Sequence, residues 1–202
     1  MSSPTTSKGE YLAGLETRRK AEWCLFQTGW TFDQNGETYF IGNSGASGDF
    51  LSVAKTCWLQ VCNKFTTYGG TRIPPTGTTI DCSAYVSWVL YEYGYSDFKG
   101  GQNTAYTFYT TNWKSKYGWE EISVGSGQNP YNKLQSGDIF VRYGSGTHHV
   151  MIVVEKKDGK IYSYDCGSKN NWINNSSGDP IDRSYFLTYK GSGKIIRVTS
   201  PK

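Results

Sequence analysis

Apolar positions recur three and four apart through residues 50–62: Phe50, Val53, Ala54, Cys57, Trp58, Val61 and Cys62. That spacing sets a stripe along one face of a helix, and Asp49 stands ahead of it as a capping residue. Tyr68-Gly69-Gly70 and Pro74-Pro75 then break the chain. A second stripe follows in Tyr85, Val86, Val89, Leu90 and Tyr93, with Asp81 placed to cap it and Gly94 to end it. Farther on the period changes. Segments 138–143 (DIFVRY), 148–154 (HHVMIVV), 160–165 (KIYSYD) and 194–200 (KIIRVTS) each predict a strand. Helices first and strands afterwards predict an α+β domain, with helices packed on a central antiparallel sheet.

The N-terminal quarter reads differently. Residues 1–9 form a Ser/Thr-rich tail expected to lack fixed structure, and Leu12, Leu15, Trp23 and Phe26 fall roughly in phase for a short helix. GWTFDQNGETYFIGNSG predicts a hairpin, because alternating aromatic residues flank Asn35-Gly36, a favoured tight turn. This piece also resembles half of a choline-binding type wall repeat, in one imperfect copy beside the plain structural reading. The division expected is 1–46 for the tail, helix and hairpin, and 47–202 for the main domain.

Composition narrows the classes. A chain of 202 residues has room for a proper core, and its 16 Tyr, 9 Phe and 7 Trp supply bulky burial. A mean hydropathy of -0.56 and no long apolar run argue against membrane insertion. The net charge of +4 is mildly basic, but Lys and Arg are scattered rather than patched, so no nucleic-acid partner is expected. Five cysteines leave at least one thiol unpaired in a monomer. Cys57 and Cys62 face different parts of their helix, which argues against a mutual disulfide. No Cys/His spacing suits a metal site, and no cofactor is expected. The opening MSSPTTSKGEYLAG lacks the basic and apolar regions of a signal peptide. A protein acting outside the cell would then be released by another protein, or this chain is excised from a larger one.

The candidate chemistry starts at TTIDCSAYVSWVLYEYGY, residues 78–95. Cys82 opens the second helix. A buried cysteine needs no function, but a thiol at a helix N-terminus lies at the positive end of the macrodipole, where a thiolate is favoured. A cysteine nucleophile needs a base and a group to orient that base. The whole histidine supply, His148 and His149, sits at the start of one strand. Period 2 places His149 with Met151 and Val153, and His148 with Val150 and Ile152. On the next strand Ile161, Ser163 and Asp165 share a face. If Val154 pairs with Lys160, His149 lies opposite Asp165; a tight turn at Asp158-Gly159 would break that pairing.

The order of these pieces resembles the NlpC/P60 cysteine peptidases, a papain-like family that cuts bacterial cell-wall peptides. The matching strings are FLSVAKTCWLQVCNKF, YGG, DCSAYVSWVLYEYG, LQSGDIFV and HHVMIVV. The family's most specific string is Asp-Cys-Ser-Gly followed by an aromatic residue and Val. Here it reads Asp81-Cys82-Ser83-Ala84-Tyr85-Val86, with Ala in place of Gly. The resemblance implies the papain-like fold, Cys82 as nucleophile, and His149 rather than His148 as base, since the family histidine immediately precedes Val. The third position is often His, Asn or Gln; here it falls on Asp165, with Ser163 on the same face.

By the same resemblance Asp81, Ser83 and Tyr68 bind a free α-amine of the substrate, although Asp81 is also read as a plain helix cap. Cys24, Cys57 and Cys62 read as buried apolar residues, and Cys166 adjoins the proposed site. The aromatic segment 95–135 is expected to carry a helix near 103–116, packed on the core or walling the cleft through Tyr109 and Trp113. The implied activity is a peptidoglycan-cleaving cysteine endopeptidase, acting as a monomer at the bacterial wall, with a phage or mobile-element lysin as the setting. Two alternatives keep less of the chemistry: a papain-like acyltransferase, deamidase or amidase, and a catalytically inactive wall-binding module.

Overall fold

A computed structural model describes residues 49–201, apart from 102, 168–171, 174 and 176, together with four short strands before them. The chain divides into two compact units, Met1–Ala46 and Ser47–Lys202. In the first, β1 (Thr6–Ser7) pairs antiparallel with β2 (Glu10–Tyr11), inside and beside a tail expected to lack structure. A pairing two residues long leaves no period for sequence reading to detect. The predicted hairpin is present as β3 (Trp30–Phe32) against β4 (Thr38–Phe40), with Trp30 opposite Phe40. Its Asn35-Gly36 turn and the expected helix through Leu12 and Phe26 lie outside the described residues.

The second unit opens with helix α1 (Phe50–Lys64), capped by Asp49, whose carboxylate accepts the Ser52 N–H at 2.8 Å. The predicted stripe is the buried face at Phe50, Ala54, Cys57, Trp58, Val61 and Cys62, while its remaining member, Val53, is half-buried. The strands β5 (Thr67–Tyr68) and β6 (Thr79–Ile80) pair in parallel and lead directly into α2 (Cys82–Glu92). Asp81 caps α2 by accepting the Ala84 N–H at 2.8 Å. The sequence marks one apolar face on α2, yet every residue from Cys82 to Leu90 is buried. The neighbours explain this: Trp58 of α1 meets Tyr85 edge-on at 5.8 Å, and the Tyr85 hydroxyl donates to the Ala54 carbonyl at 2.7 Å.

The expected helix near 103–116 is two short ones, α3 (Ala105–Thr110) and α4 (Trp113–Tyr117). Thr104 caps the first and Asn112 the second, so the polar residues between them start a new helix rather than continue the old one. Then come β7 (Glu120–Val124), β8 (Ile139–Tyr143), β9 (His149–Lys157), β10 (Lys160–Tyr164), β11 (Ile181–Asp182) and β12 (Ser192–Arg197). They form one antiparallel six-stranded sheet in the order β11-β10-β9-β8-β12-β7. The α+β class and the antiparallel sheet are those the sequence predicts. The edge strand β7 was not predicted, because EEISV carries too many polar residues to read as a strand.

The register of the β9–β10 hairpin corrects the pairing through Val154. A tight turn at Asp158-Gly159 pairs Lys160 with Lys157 and Ile161 with Lys156. A bulge then shifts the ladder, so that Ser163 lies opposite Val153 and Tyr164 opposite Ile152. One face of the sheet gathers Phe140, Met151, Val153, Ile161 and Ile195 with Phe186 and Leu187 of a 3-10 turn, Ser184–Thr188. Tyr164 points the other way, and Trp58 stacks on it at 5.5 Å.

Candidate active site

Three segments meet at one point. Residue Cys82 is the first of α2, 4% exposed, where the free N–H groups of the first turn gather. His149 is the first residue of β9, and Asp165 follows the last residue of β10. The bulge is what brings the two strand-end residues together. Continuing the turn's register would put Asp165 on the Ile152 face, whereas the shifted register sets it on the Met151 face that His149 shares. His149 Nε2 lies 3.1 Å from Asp165 Oδ1. That nitrogen makes no aligned hydrogen bond among the described residues, so the contact is an ion pair rather than a straight N–H···O bond. The imidazole stacks on Phe186 with centroids 4.9 Å apart and planes 2° from parallel.

The electrostatics couple all three groups. Burial pushes the His149 imidazole down, but the negative charges of Asp165 and Cys82 close beside it outweigh that and hold it at about 10. Burial alone would raise Asp165; His149 and Arg183 reverse that and keep the carboxyl below the usual carboxylate range. Arg183 Nε and Nη2 donate to the two Asp165 oxygens, each at 2.7 Å, and Ser163 Oγ donates at 2.7 Å. Ser163 therefore supports Asp165 rather than replacing it beside His149. Burial pushes Cys57 and Cys166 well up and Cys62 to about 12. Cys57, Cys62, Cys82 and Cys166 are all free thiols; Cys24 lies outside the described residues.

The family model of the NlpC/P60 family matches residues 64–190, well over half of the chain. The chain belongs to the NlpC/P60 family. No curated protein matches it closely enough to add a relative. Members of this family are generally cysteine peptidases or amidases that act on peptidoglycan, and the six-stranded antiparallel sheet with its helices is consistent with their papain-like fold.

The match covers Tyr68, Asp81, Cys82, Ser83, His149 and Asp165, and the NlpC/P60 unit brings these six together. Pairing of Tyr68 with Ile80 across β5 and β6 carries the tyrosine to the start of α2. Burial, then the charges of Cys82 and Asp81, then a hydrogen bond with Cys82 raise the Tyr68 hydroxyl. Ser83 donates to Asp81 Oδ1 at 2.9 Å, the oxygen that also caps the helix. His148 is exposed and stacks on Tyr143 at 4.0 Å, away from Asp165.

Trp113 corrects the expected cleft wall. It is 1% exposed, its indole N–H donates to the Phe108 carbonyl at 2.9 Å, and its ring packs among Phe98, Phe108, Tyr117 and Trp119. It is core. Tyr109 differs: half-buried, it stacks on Tyr143 at 5.1 Å and keeps an edge to solvent. Three residues of the site had no signal in the sequence: Arg183, Tyr185 and Phe186. They sit in DPIDRSYF, a polar stretch without periodicity that only the sheet's edge brings back to the hairpin. Among the described residues no cluster of His, Cys, Asp and Glu could hold a metal ion, and no helix is long and apolar enough to cross a membrane.

Proposed function

We propose that this protein is a thiol hydrolase that cleaves an amide bond in the stem or cross-bridge peptides of peptidoglycan at the bacterial wall. The observation that carries the reading is the placing of Cys82 at the α2 N-terminus, with His149 Nε2 3.1 Å from the buried Asp165 carboxylate and Cys82 among the groups that raise the imidazole. In this reading the Cys82 thiolate attacks the scissile carbonyl carbon, and the carbonyl π electrons move to oxygen. Backbone N–H groups at the helix start, that of Cys82 included, stabilise the oxyanion. Collapse breaks the C–N bond, and protonated His149 gives its proton to the leaving amine. Neutral His149 then takes a proton from water, whose oxygen displaces the thiolate from the thioester. Asp165 keeps the imidazole oriented and stabilises its charged form. Asp81, Ser83 and Tyr68 line the substrate side and supply the negative and polar groups that a free α-amine requires.

The test uses purified cell walls. Wild-type protein should release peptide fragments whose masses identify the bond, while Cys82→Ser, folded to the same melting temperature, should release none. Fragments with a free sugar-lactate end would redirect the reading to an amidase. Full activity of Cys82→Ser would end the thiol mechanism altogether.

A further inference from the structure

We propose that Arg183 is a positioning residue of the thiol site, its guanidinium holding the Asp165 carboxylate in the orientation that faces His149. The proposal rests on the reading of Cys82 and His149 as nucleophile and base. Asp165 is fully buried and Arg183 is 3% exposed. Nε meets Oδ2 and Nη2 meets Oδ1, both at 2.7 Å, so two parallel bonds fix the plane of the carboxylate. Ser163 occupies a further site on Oδ2, which leaves Oδ1 to face His149 Nε2 at 3.1 Å.

The need for a cation follows from the residue type. An amide at this position would be neutral and could be buried with ordinary donors. A carboxylate with no solvent exposure requires a paired cation and satisfied oxygens. Lysine would supply the charge without the fork. The surroundings are shaped to the guanidinium: a Cβ on Gly167 would come within 2.7 Å of Arg183 Nη2 and 3.5 Å of Asp165 Oδ1. Arg183 also anchors the imidazole's other support. Its N–H donates to the Ile161 carbonyl at 3.0 Å, and its carbonyl accepts the Phe186 N–H at 3.0 Å, at the start of the turn whose Phe186 stacks on His149.

Besides Arg183, the titratable groups that face Asp165 among the described residues include His149 from β9, the adjoining Cys166, and Tyr185 from the 3-10 turn; Cys82 of α2 reaches it through His149. The experiment compares Arg183→Lys, Arg183→Gln and Gly167→Ala in the full chain, each alone and in an Asp165→Asn background. Two readouts are taken across pH: the iodoacetamide alkylation rate of Cys82, which needs no substrate, and hydrolysis of purified walls.

With Asp165 present, Arg183→Lys should lower kcat by about 100-fold at nearly constant KM, the scale expected when a catalytic group is misplaced by about 1 Å. The acid limb of both profiles should move to higher pH, because a buried carboxylate without its fork protonates more readily. Gly167→Ala, which keeps both charged residues, should shift the profiles in the same direction. In the Asp165→Asn background the Arg183 changes should cost little, since the group they act through is gone. Equal losses in both backgrounds, or a lower melting temperature with rates and acid limbs unchanged, would overturn the proposal. Alkylation that depends on Arg183 in a protein that leaves walls intact would support the positioning role and count against the wall substrate.

Discussion

His149 Nε2 and Asp165 Oδ1 lie 3.1 Å apart because one extra residue in β9 turns the end of β10 over. The bulge falls where Tyr162 faces Glu155 and Ser163 faces Val153, just beyond the hairpin turn at Asp158-Gly159. A strand's side chains alternate, so a shift of one position exchanges its two faces. The contact between imidazole and carboxylate is thus a consequence of strand register, fixed by the bulge rather than by either residue.

The two adjacent histidines should separate cleanly. His149→Ala should lower the rate of wall hydrolysis by about 10²–10⁴-fold, the usual contribution of a positioned acid–base group. His148→Ala should leave most of it, because His148 is exposed and stacks on Tyr143 instead. Turbidity loss of purified walls measures both, and the reverse ranking would move the base to His148.

The charge state of His149 makes a signed prediction. Its value in the folded protein is held at about 10, against about 6.5 for an unperturbed histidine. A raised value means that protonated His149 contributes stability fully below about pH 6.5, and that this is lost as pH rises through its folded value. His149→Asn should therefore flatten the fall in unfolding free energy over that window, measured by urea titrations at several pH values. Since Cys82 is one of the causes of the shift, Cys82→Ser should lower the value read from an NMR titration of the imidazole. An unchanged titration would mean that thiol and imidazole do not interact.

The cap that Asp81 makes and the substrate role proposed for it can be divided by one pair of substitutions. Asp81 Oδ1 caps α2 through the Ala84 N–H and accepts the Ser83 hydroxyl. Asp81→Ala should cost about 0.5–2 kcal/mol of stability from loss of the cap. Asp81→Asn keeps an equally good cap and removes the charge. If the carboxylate recognises a free α-amine, Asp81→Asn should raise KM for substrates bearing that amine and leave amine-blocked ones unaffected, at unchanged melting temperature. Equal KM changes for both substrates would leave Asp81 as a cap only.

The two aromatic candidates should part company. Trp113→Ala removes a fully packed ring and should cost about 3–5 kcal/mol, seen as a lower melting temperature, with kinetics preserved where the variant is folded. Tyr109→Ala exposes little new apolar surface and should change stability by less than about 1 kcal/mol. If its half-exposed ring lines the cleft, its effect appears in KM or in the mixture of muropeptides released. A Tyr109→Ala protein with wild-type products and KM would remove it from the substrate side.

The first two helices of the main unit, the sheet class and the place of Cys82 were legible in the sequence, because they depend on local rules. The three- and four-residue spacing from Phe50 to Cys62, the cap at Asp81 and the alternation from His149 to Val153 are each set by neighbours within a few residues. That locality is why Cys82 could be placed at a helix start and the two histidines assigned to opposite faces, while the preference for His149 came from the family resemblance. What the sequence could not decide needed distances between segments. The bulge in β9 depends on how two strands pair, and pairing is fixed by packing on both faces rather than by the turn alone. Burial of Trp113 depends on Phe98, Phe108, Tyr117 and Trp119 closing around it, and an irregular aromatic stretch left core and cleft wall both open. Arg183 reads as an ordinary surface charge 18 residues beyond Asp165. Only the folded chain removes both from water, and a buried carboxylate then leaves its cation no other place.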